Sequence, residues 1–358
     1  MRIVEIVNTL DIGGAERMVV DLARGLQRLG HETAVVCLRG SGPLAQDLDD
    51  VGIDVMEFHK EPGLRLGMLR ELTRSLRERN VDVVHTHNPL VHHYGTLAAR
   101  LAGVPTVINT LHGPSNLDGL GSREIIFELS CVLCDRVVAC CEAVRDHLRR
   151  VSPIGGAIST TIRNGVVLDR YVDTQSIRVN GEVVFGTVGR LVPVKDQATM
   201  LNAFAEVARR SVLCRLEILG DGPLRESLEL QARALGIAER VHFHGASLDV
   251  SSFLERIHVF VLSSVSEGLP LTMLEAMAAG RPVIGSEVGA VSELVESSAC
   301  GWTVPPRQPE GLGALMLRAM TASDLGERGE RGRDYVLRNH SVEKMVRAYE
   351  ELFASTLE

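Results

Sequence analysis

Short runs of apolar, β-branched residues recur along the chain, separated by stretches whose apolar residues fall three and four apart. In the first half the runs at 3–7, 33–38, 81–85, 104–109 and 136–140 predict buried strands. Between them, 16–29, 66–79 and 90–102 carry helical spacing. The second half repeats the alternation, with strands predicted at 183–188, 215–219, 241–244, 259–262 and 282–285. Strands and helices in alternation mean βαβ units, and hence parallel sheets covered by helices on both faces.

A chain of 358 residues has the length of two domains of about 150–200 residues. The polar stretch around 171–181 lies near the middle and precedes a fresh strand. The expected fold class is therefore α/β, with two Rossmann-like doubly wound parallel-sheet domains facing a cleft at the carboxyl ends of their strands. The expected boundaries are 1–173 for the first domain, 174–181 for the linker and 182–341 for the second domain. A last amphipathic helix, 342–358, has no strand after it.

Composition narrows the partners. Net charge is −8 and aromatic residues are 4% of the chain, which gives nucleic acid neither a basic face nor a stacking surface. Seven cysteines, an odd number in a large chain, fit reduced thiols better than a disulfide framework. No leader pattern and no membrane-length apolar run is legible, so a cytoplasmic protein is expected. Only Lys60, Lys195 and Lys344 are lysine. A lysine beside a glycine turn therefore carries more information here than in a lysine-rich chain.

Chemistry concentrates in a few places. In the stretch 263–289 a strand ends, a loop carries Glu267-Gly268, and a helix follows with Pro270 in its first turn. Unpaired N–H groups at that helix start suit a phosphate, and a Glu one or two turns in, aimed at the cleft, could take hydrogen bonds from sugar hydroxyls; alternatively Glu267 and Glu275 are both merely solvated. Eight residues of helix separate Cα atoms by about 12 Å, which weighs against a glycosidase pair, whose carboxyls stand about 5–9.5 Å apart. Upstream, Gly189-Arg190 follows a strand and Lys195-Asp196 comes shortly after, a glycine turn with two cations for an anion. Gly13-Gly14 sits after the first strand and opens the first helix, where a phosphate or ligand could approach closely.

Three other groupings read more modestly. His85, His87, His92, His93 and His112 could suggest metal, but no Asp or Cys sits at a spacing that would finish a site, so cleft-lining or core roles are expected. Of these, His112 falls at the carboxyl end of a strand. Cys131, Cys134, Cys140 and Cys141 read as small buried side chains. Asp47-Leu-Asp49 reads as a solvated helical face, although such a pair can hold a nucleotide's metal.

Taken together the motifs resemble family-4 retaining glycosyltransferases of the GT-B fold. The resemblance runs in order through Gly13-Gly14-Ala15-Glu16, Asp82-Val83-Val84-His85-Thr86-His87, Leu111-His112-Gly113, Arg163-Asn164-Gly165-Val166 with Asp169, and Gly189-Arg190-Leu191 with Lys195-Asp196. It continues through Leu219-Gly220-Asp221-Gly222-Pro223-Leu224 and Ser266-Glu267-Gly268-Leu269-Pro270-Leu271 with Glu275. It implies transfer of a sugar from a nucleotide-diphosphate sugar to a hydroxyl acceptor, with retention at the anomeric carbon. By resemblance Arg190 and Lys195 hold the pyrophosphate, Glu275 the ribose, Glu267 the sugar hydroxyls, and the backbone at Leu271 and Thr272 the distal phosphate. Gly13 and Gly14 close over the phosphates, and His112 lies beside the donor sugar. No metal and no cofactor beyond the nucleotide sugar is implied. The acceptor could be a lipid-linked glycan at the inner face of the plasma membrane, in exopolysaccharide or cell-envelope synthesis, or a small molecule. A sugar-nucleotide epimerase of the same fold and a non-catalytic sugar-nucleotide-binding protein remain alternatives.

Overall fold

A computed structural model describes residues 1–59, 65–113, 122–171 and 181–358. Most of the expected linker 174–181 lies outside the described residues. The chain divides into two compact units, Met1–Gly165 with Val342–Glu358, and Val166–Ser341.

The first unit is built on β1 (Arg2–Val7), β2 (Glu32–Cys37), β3 (Asp54–Glu57), β4 (Val83–His87), β5 (Thr106–Leu111), β6 (Arg136–Ala139) and β7 (Ser159–Thr161). Among the described residues they form one parallel sheet in the order β3-β2-β1-β4-β5-β6-β7. Its helices are α1 (Gly14–Arg28), α2 (Gln46–Asp49), α3 (Leu66–Glu78), α4 (Asn88–Ala102), α5 (Ser122–Cys131), α6 (Glu142–Val151) and α7 (Pro153–Ala157). Helix α1 shows how they form: Met18, Val19, Leu22, Ala23 and Leu26 make one buried stripe, with Glu16 in its first turn and Arg28 in its last, each charge complementing the helix dipole.

The second unit carries β8 (Val183–Val188), β9 (Cys214–Leu219), β10 (Val241–Gly245), β11 (Val259–Leu262), β12 (Val283–Ser286) and β13 (Gly301–Val304). Their order is β10-β9-β8-β11-β12-β13, again parallel. Its helices are α8 (Gln197–Arg210), α9 (Arg225–Ala234), α10 (Val250–Arg256), α11 (Leu271–Ala278), α12 (Val291–Ser298), α13 (Pro309–Thr321) and α14 (Leu325–Asn339). The last helix, α15 (Val342–Leu357), belongs to the first unit, where it packs on α1.

Both sheets reverse direction of winding once, between β1 and β4 and between β8 and β11. That reversal leaves a crevice outside the carboxyl ends of the two strands, since the connections leave them toward opposite faces. Strands β1, β8 and β11 are buried along nearly their whole length, as a sheet covered on both sides requires.

Two strands begin later than the apolar pattern suggests. Strand β4 starts at Val83; just before it the Asp82 carboxylate accepts from the Arg2 backbone N–H at 2.7 Å, tying the entry of the strand to β1. Strand β5 starts after Pro105, which has no N–H for the ladder. Three strands, β3, β7 and β13, were not expected at all. All three are sheet edges, three or four residues long with half-exposed positions.

Candidate active site

In the second unit the switch point gathers most of the expected residues. Strand β8 leads into Gly189-Arg190, and neighbouring β11, paired with it through Val259 and Phe185, leads into the loop that carries Glu267. The two loops are tied together: the Val265 N–H bonds the Val194 carbonyl at 2.9 Å, and Ser263 Oγ donates to the Lys195 carbonyl at 3.0 Å. Lys195 Nζ then reaches Glu267 Oε1 at 2.6 Å, the two side chains 22% and 10% exposed. Asp196, at φ +46°, caps α8 by accepting from the Thr199 N–H, which turns the chain sharply after Lys195.

Arg190 is exposed and its carbonyl accepts from Gln197 Nε2 at 3.0 Å. The turn before it needs glycine on both sides of a close approach. A Cβ on Gly220 would stand 1.9 Å from the Gly189 carbonyl oxygen, and the Gly189 N–H bonds Leu219.

Helix α11 begins at Leu271 after Pro270, with no side-chain cap. The Pro270 carbonyl takes the N–H groups of Met273 and Leu274, so helix geometry aims those of Leu271 and Thr272 outward at the start. Glu275, one turn further along, is buried and has a partner. The Glu267-Gly268 loop is seated on Gly289, where φ is +55° and a Cβ would lie 2.3 Å from the Glu267 carbonyl oxygen; the Ala290 N–H bonds Gly268 at 2.9 Å.

The remaining expected residues lie in the first unit. Gly13 caps α1 and Gly14 is its first residue; a Cβ on Gly13 would run into the Glu16 carboxylate at 2.2 Å. Asp47 is taken up by Arg17, which also bonds Asp21. Arg17 thus holds α1 to α2, an ion pair where the sequence suggests a solvated face. His112 follows β5, its N–H donated to Asn88 Oδ1 at 3.3 Å.

The histidines are joined by a residue that spacing did not suggest. Glu5, in register beside His85 on the neighbouring strand, is fully buried. Its Oε2 lies 2.8 Å from His85 Nδ1 and 2.7 Å from His87 Nε2. The signal was present: Glu5 interrupts the apolar run 3–7. This trio offers donors of the kind that bind metal. His87 Nε2 is hydrogen-bonded to Glu5 Oε2, whereas His85 Nδ1, though 2.8 Å from the same oxygen, is not aligned for a hydrogen bond. Burial opposes ionisation of Glu5, but the two histidines outweigh it and hold the carboxyl at about 2. Burial pulls His87 down to about 4 and holds His112 well below its ordinary value. The seven cysteines are free and buried, and burial pushes the Cys134 thiol up to about 12.

Lys195, Glu267 and the uncapped start of α11 thus meet at the switch point of the second unit's parallel sheet. Residues 12–170 match the Glycosyltransferase Family 4 description and residues 182–322 match Glycosyl transferases group 1. The chain belongs to the family-4 glycosyltransferases, and its fold class is that of the GT-B enzymes.

Similar curated proteins include the UDP-Gal:alpha-D-GlcNAc-diphosphoundecaprenol alpha-1,3-galactosyltransferase of Escherichia coli, 24% identical over 96% of this chain and 94% of that protein. A glycogen synthase of Mycobacterium tuberculosis is 27% identical over 85% of this chain and 82% of its own length. Among solved structures, Anabaena Alr3699/HepE in complex with UDP has a TM-score of 0.86 at 19% identity, covering 99% of this chain and 100% of that one. The same protein with UDP-glucose gives 0.84.

Proposed function

We propose that this protein is a retaining glycosyltransferase that moves a sugar from a nucleotide-diphosphate sugar to a hydroxyl acceptor in bacterial polysaccharide or cell-envelope synthesis. The observation that carries the reading is Lys195 meeting Glu267 at the carboxyl ends of two adjacent strands, beside the open start of α11. Arg190, Lys195 and the Leu271 and Thr272 N–H groups would take the diphosphate, Glu275 the ribose and Glu267 the sugar hydroxyls. Gly13, Gly14 and His112 are assigned to the phosphates and donor sugar by the resemblance.

The chemistry then runs as follows. The bond from the anomeric carbon to the phosphate oxygen breaks, and its electron pair goes to the leaving diphosphate. Two cations and a helix start stabilise that growing charge, a role that requires no metal ion. The acceptor oxygen forms its bond on the same face, and its proton passes to the departing phosphate oxygen.

A lipid-linked acceptor is the favoured class. Helices α4 and α5 pack together and leave Leu97, Leu101, Ile125 and Leu129 exposed, apolar side chains of the kind that meet a partner or a bilayer where they cluster. No helix among the described residues is long and apolar enough to cross a membrane, so contact there would be peripheral. The deciding experiment is a thermal-shift series with uridine, guanosine and adenosine diphosphates. Binding at 100 times Kd adds about 2.7 kcal/mol; no shift with any of them overturns the reading. Product NMR at the anomeric centre tests retention. Acceptor-free formation of an epimerised sugar nucleotide would support the epimerase reading instead.

A further inference from the structure

Strands β1, β4 and β5 bring three side chains into one hydrogen-bonded line. Glu5 Oε2 lies 2.7 Å from His87 Nε2, and His87 Nδ1 lies 3.1 Å from His112 Nε2. The two imidazoles stack with centroids 5.4 Å apart. Glu5 is held ionised and both histidines are held neutral at pH 7, for the reasons given above.

Proton placement follows from the partners. A carboxylate can only accept, so the His87 Nε2 carries the proton and donates it. A neutral imidazole has one N–H, so His87 Nδ1 is then a bare acceptor. The atom facing it, His112 Nε2, must supply the proton of the second bond. His112 is left with a lone pair on Nδ1, which is buried and has no partner among the described residues. The same Glu5 oxygen lies 2.8 Å from His85 Nδ1; His85 Nε2 meets Thr110 Oγ1 at 2.8 Å, and Thr110 meets the Tyr349 hydroxyl of α15 at 2.9 Å.

We propose that Glu5 and His87 are positioning residues that lock His112 in its Nε2–H tautomer and so present Nδ1 as a hydrogen-bond acceptor to a hydroxyl of the bound sugar. This rests on the proposed placement of His112 beside the donor. It goes further by setting the chemistry of that contact: a lone pair receives a hydroxyl and repels a carboxylate, so a neutral hexose is favoured there over a hexuronic acid.

The test has two arms on the full chain. Long-range proton–nitrogen NMR of histidine-labelled protein, assigned with His87→Gln and His112→Gln, should show both imidazoles protonated at Nε2 at pH 7. Glu5→Leu should release the lock and move both patterns toward mixed tautomers. A wild-type His112 protonated at Nδ1 would overturn the proposal. In the second arm, Glu5→Leu should lower kcat/KM about tenfold in the wild-type background, the size of one hydrogen bond. It should cost almost nothing in the His112→Ala background. Equal losses in both backgrounds, with melting temperatures alike, would make Glu5 merely structural. Nε2–H tautomers in a protein that binds no nucleoside diphosphate would support the relay while sinking the glycosyltransferase reading. The converse pair of results would sink the relay alone.

Discussion

Replacing Lys195 with Met keeps the length of the side chain and removes its charge. In the native protein Nζ stands 2.6 Å from Glu267 Oε1, and the Glu267 side chain is only 10% exposed. The variant therefore strands a carboxylate with little water. Breaking a fully buried pair costs about 3–5 kcal/mol. Here Lys195 still touches solvent, so a loss of about 1–3 kcal/mol is expected. In a unit of this size that lowers Tm by roughly 2–12 °C. If Lys195 also stabilises the leaving diphosphate, kcat/KM falls by about 10²–10³.

The double variant Lys195→Met with Glu267→Gln separates the two effects. Removing the stranded charge should restore most of the lost Tm, while turnover stays low because neither role has returned. The assay is initial-rate release of nucleoside diphosphate, run beside a thermal melt. A Lys195→Met protein whose kcat/KM stays within about threefold of the wild type would refute the reasoning: Lys195 would then be only the counter-ion of Glu267.

Three further outcomes are expected. Gly289→Ala should cost about 1–2 kcal/mol for a left-handed backbone and displace the Glu267 loop, lowering kcat/KM about tenfold or more. Gly103→Ala, also left-handed but with nothing within 4 Å of its Cβ, should destabilise without touching activity. Glu275→Ala should cost about 10² in kcat/KM if it holds the ribose; near-normal turnover would remove it from the site. Burial holds His87, His92 and His93 at about 4, 3 and 4, below their ordinary 6.5. The unfolded chain then binds more protons below pH 6.5, so their contribution is whole above that pH and is lost progressively as pH falls toward 4. Glu5, held at about 2 against an ordinary 4.5, adds a further loss below pH 4.5. A Tm that stays flat from pH 7 to 4.5 would contradict this. EDTA should leave turnover unchanged if cations and a helix start supply the charge; loss of activity restored by Mg²⁺ would require a metal in the mechanism.

Central strands were legible because they are apolar and β-branched, and burial on both faces leaves few polar residues to blur them. Edge strands β3, β7 and β13 were not legible. Each is short and half exposed, and only its neighbour's ladder makes it a strand. Arg190 and Lys195 were singled out one by one from a glycine turn and the scarcity of lysine, and the structure places them on the loop after β8. That Lys195 binds Glu267, and that Arg17 occupies Asp47, was not readable, since both pairs join elements well apart in sequence.

Glu5 marks the limit most clearly. Sequence alone determined that a carboxylate breaks an apolar strand and that two histidines alternate on another. Alternation places His85 and His87 on one face of β4, but it says nothing of which strand lies beside it. Strand order is settled by how the helices pack across the sheet, and that order set β1 against β4 with Glu5 opposite His85. In water these three groups would titrate independently. Buried together, with water replaced by one another, they share protons in a fixed direction, and only the tertiary structure decides that.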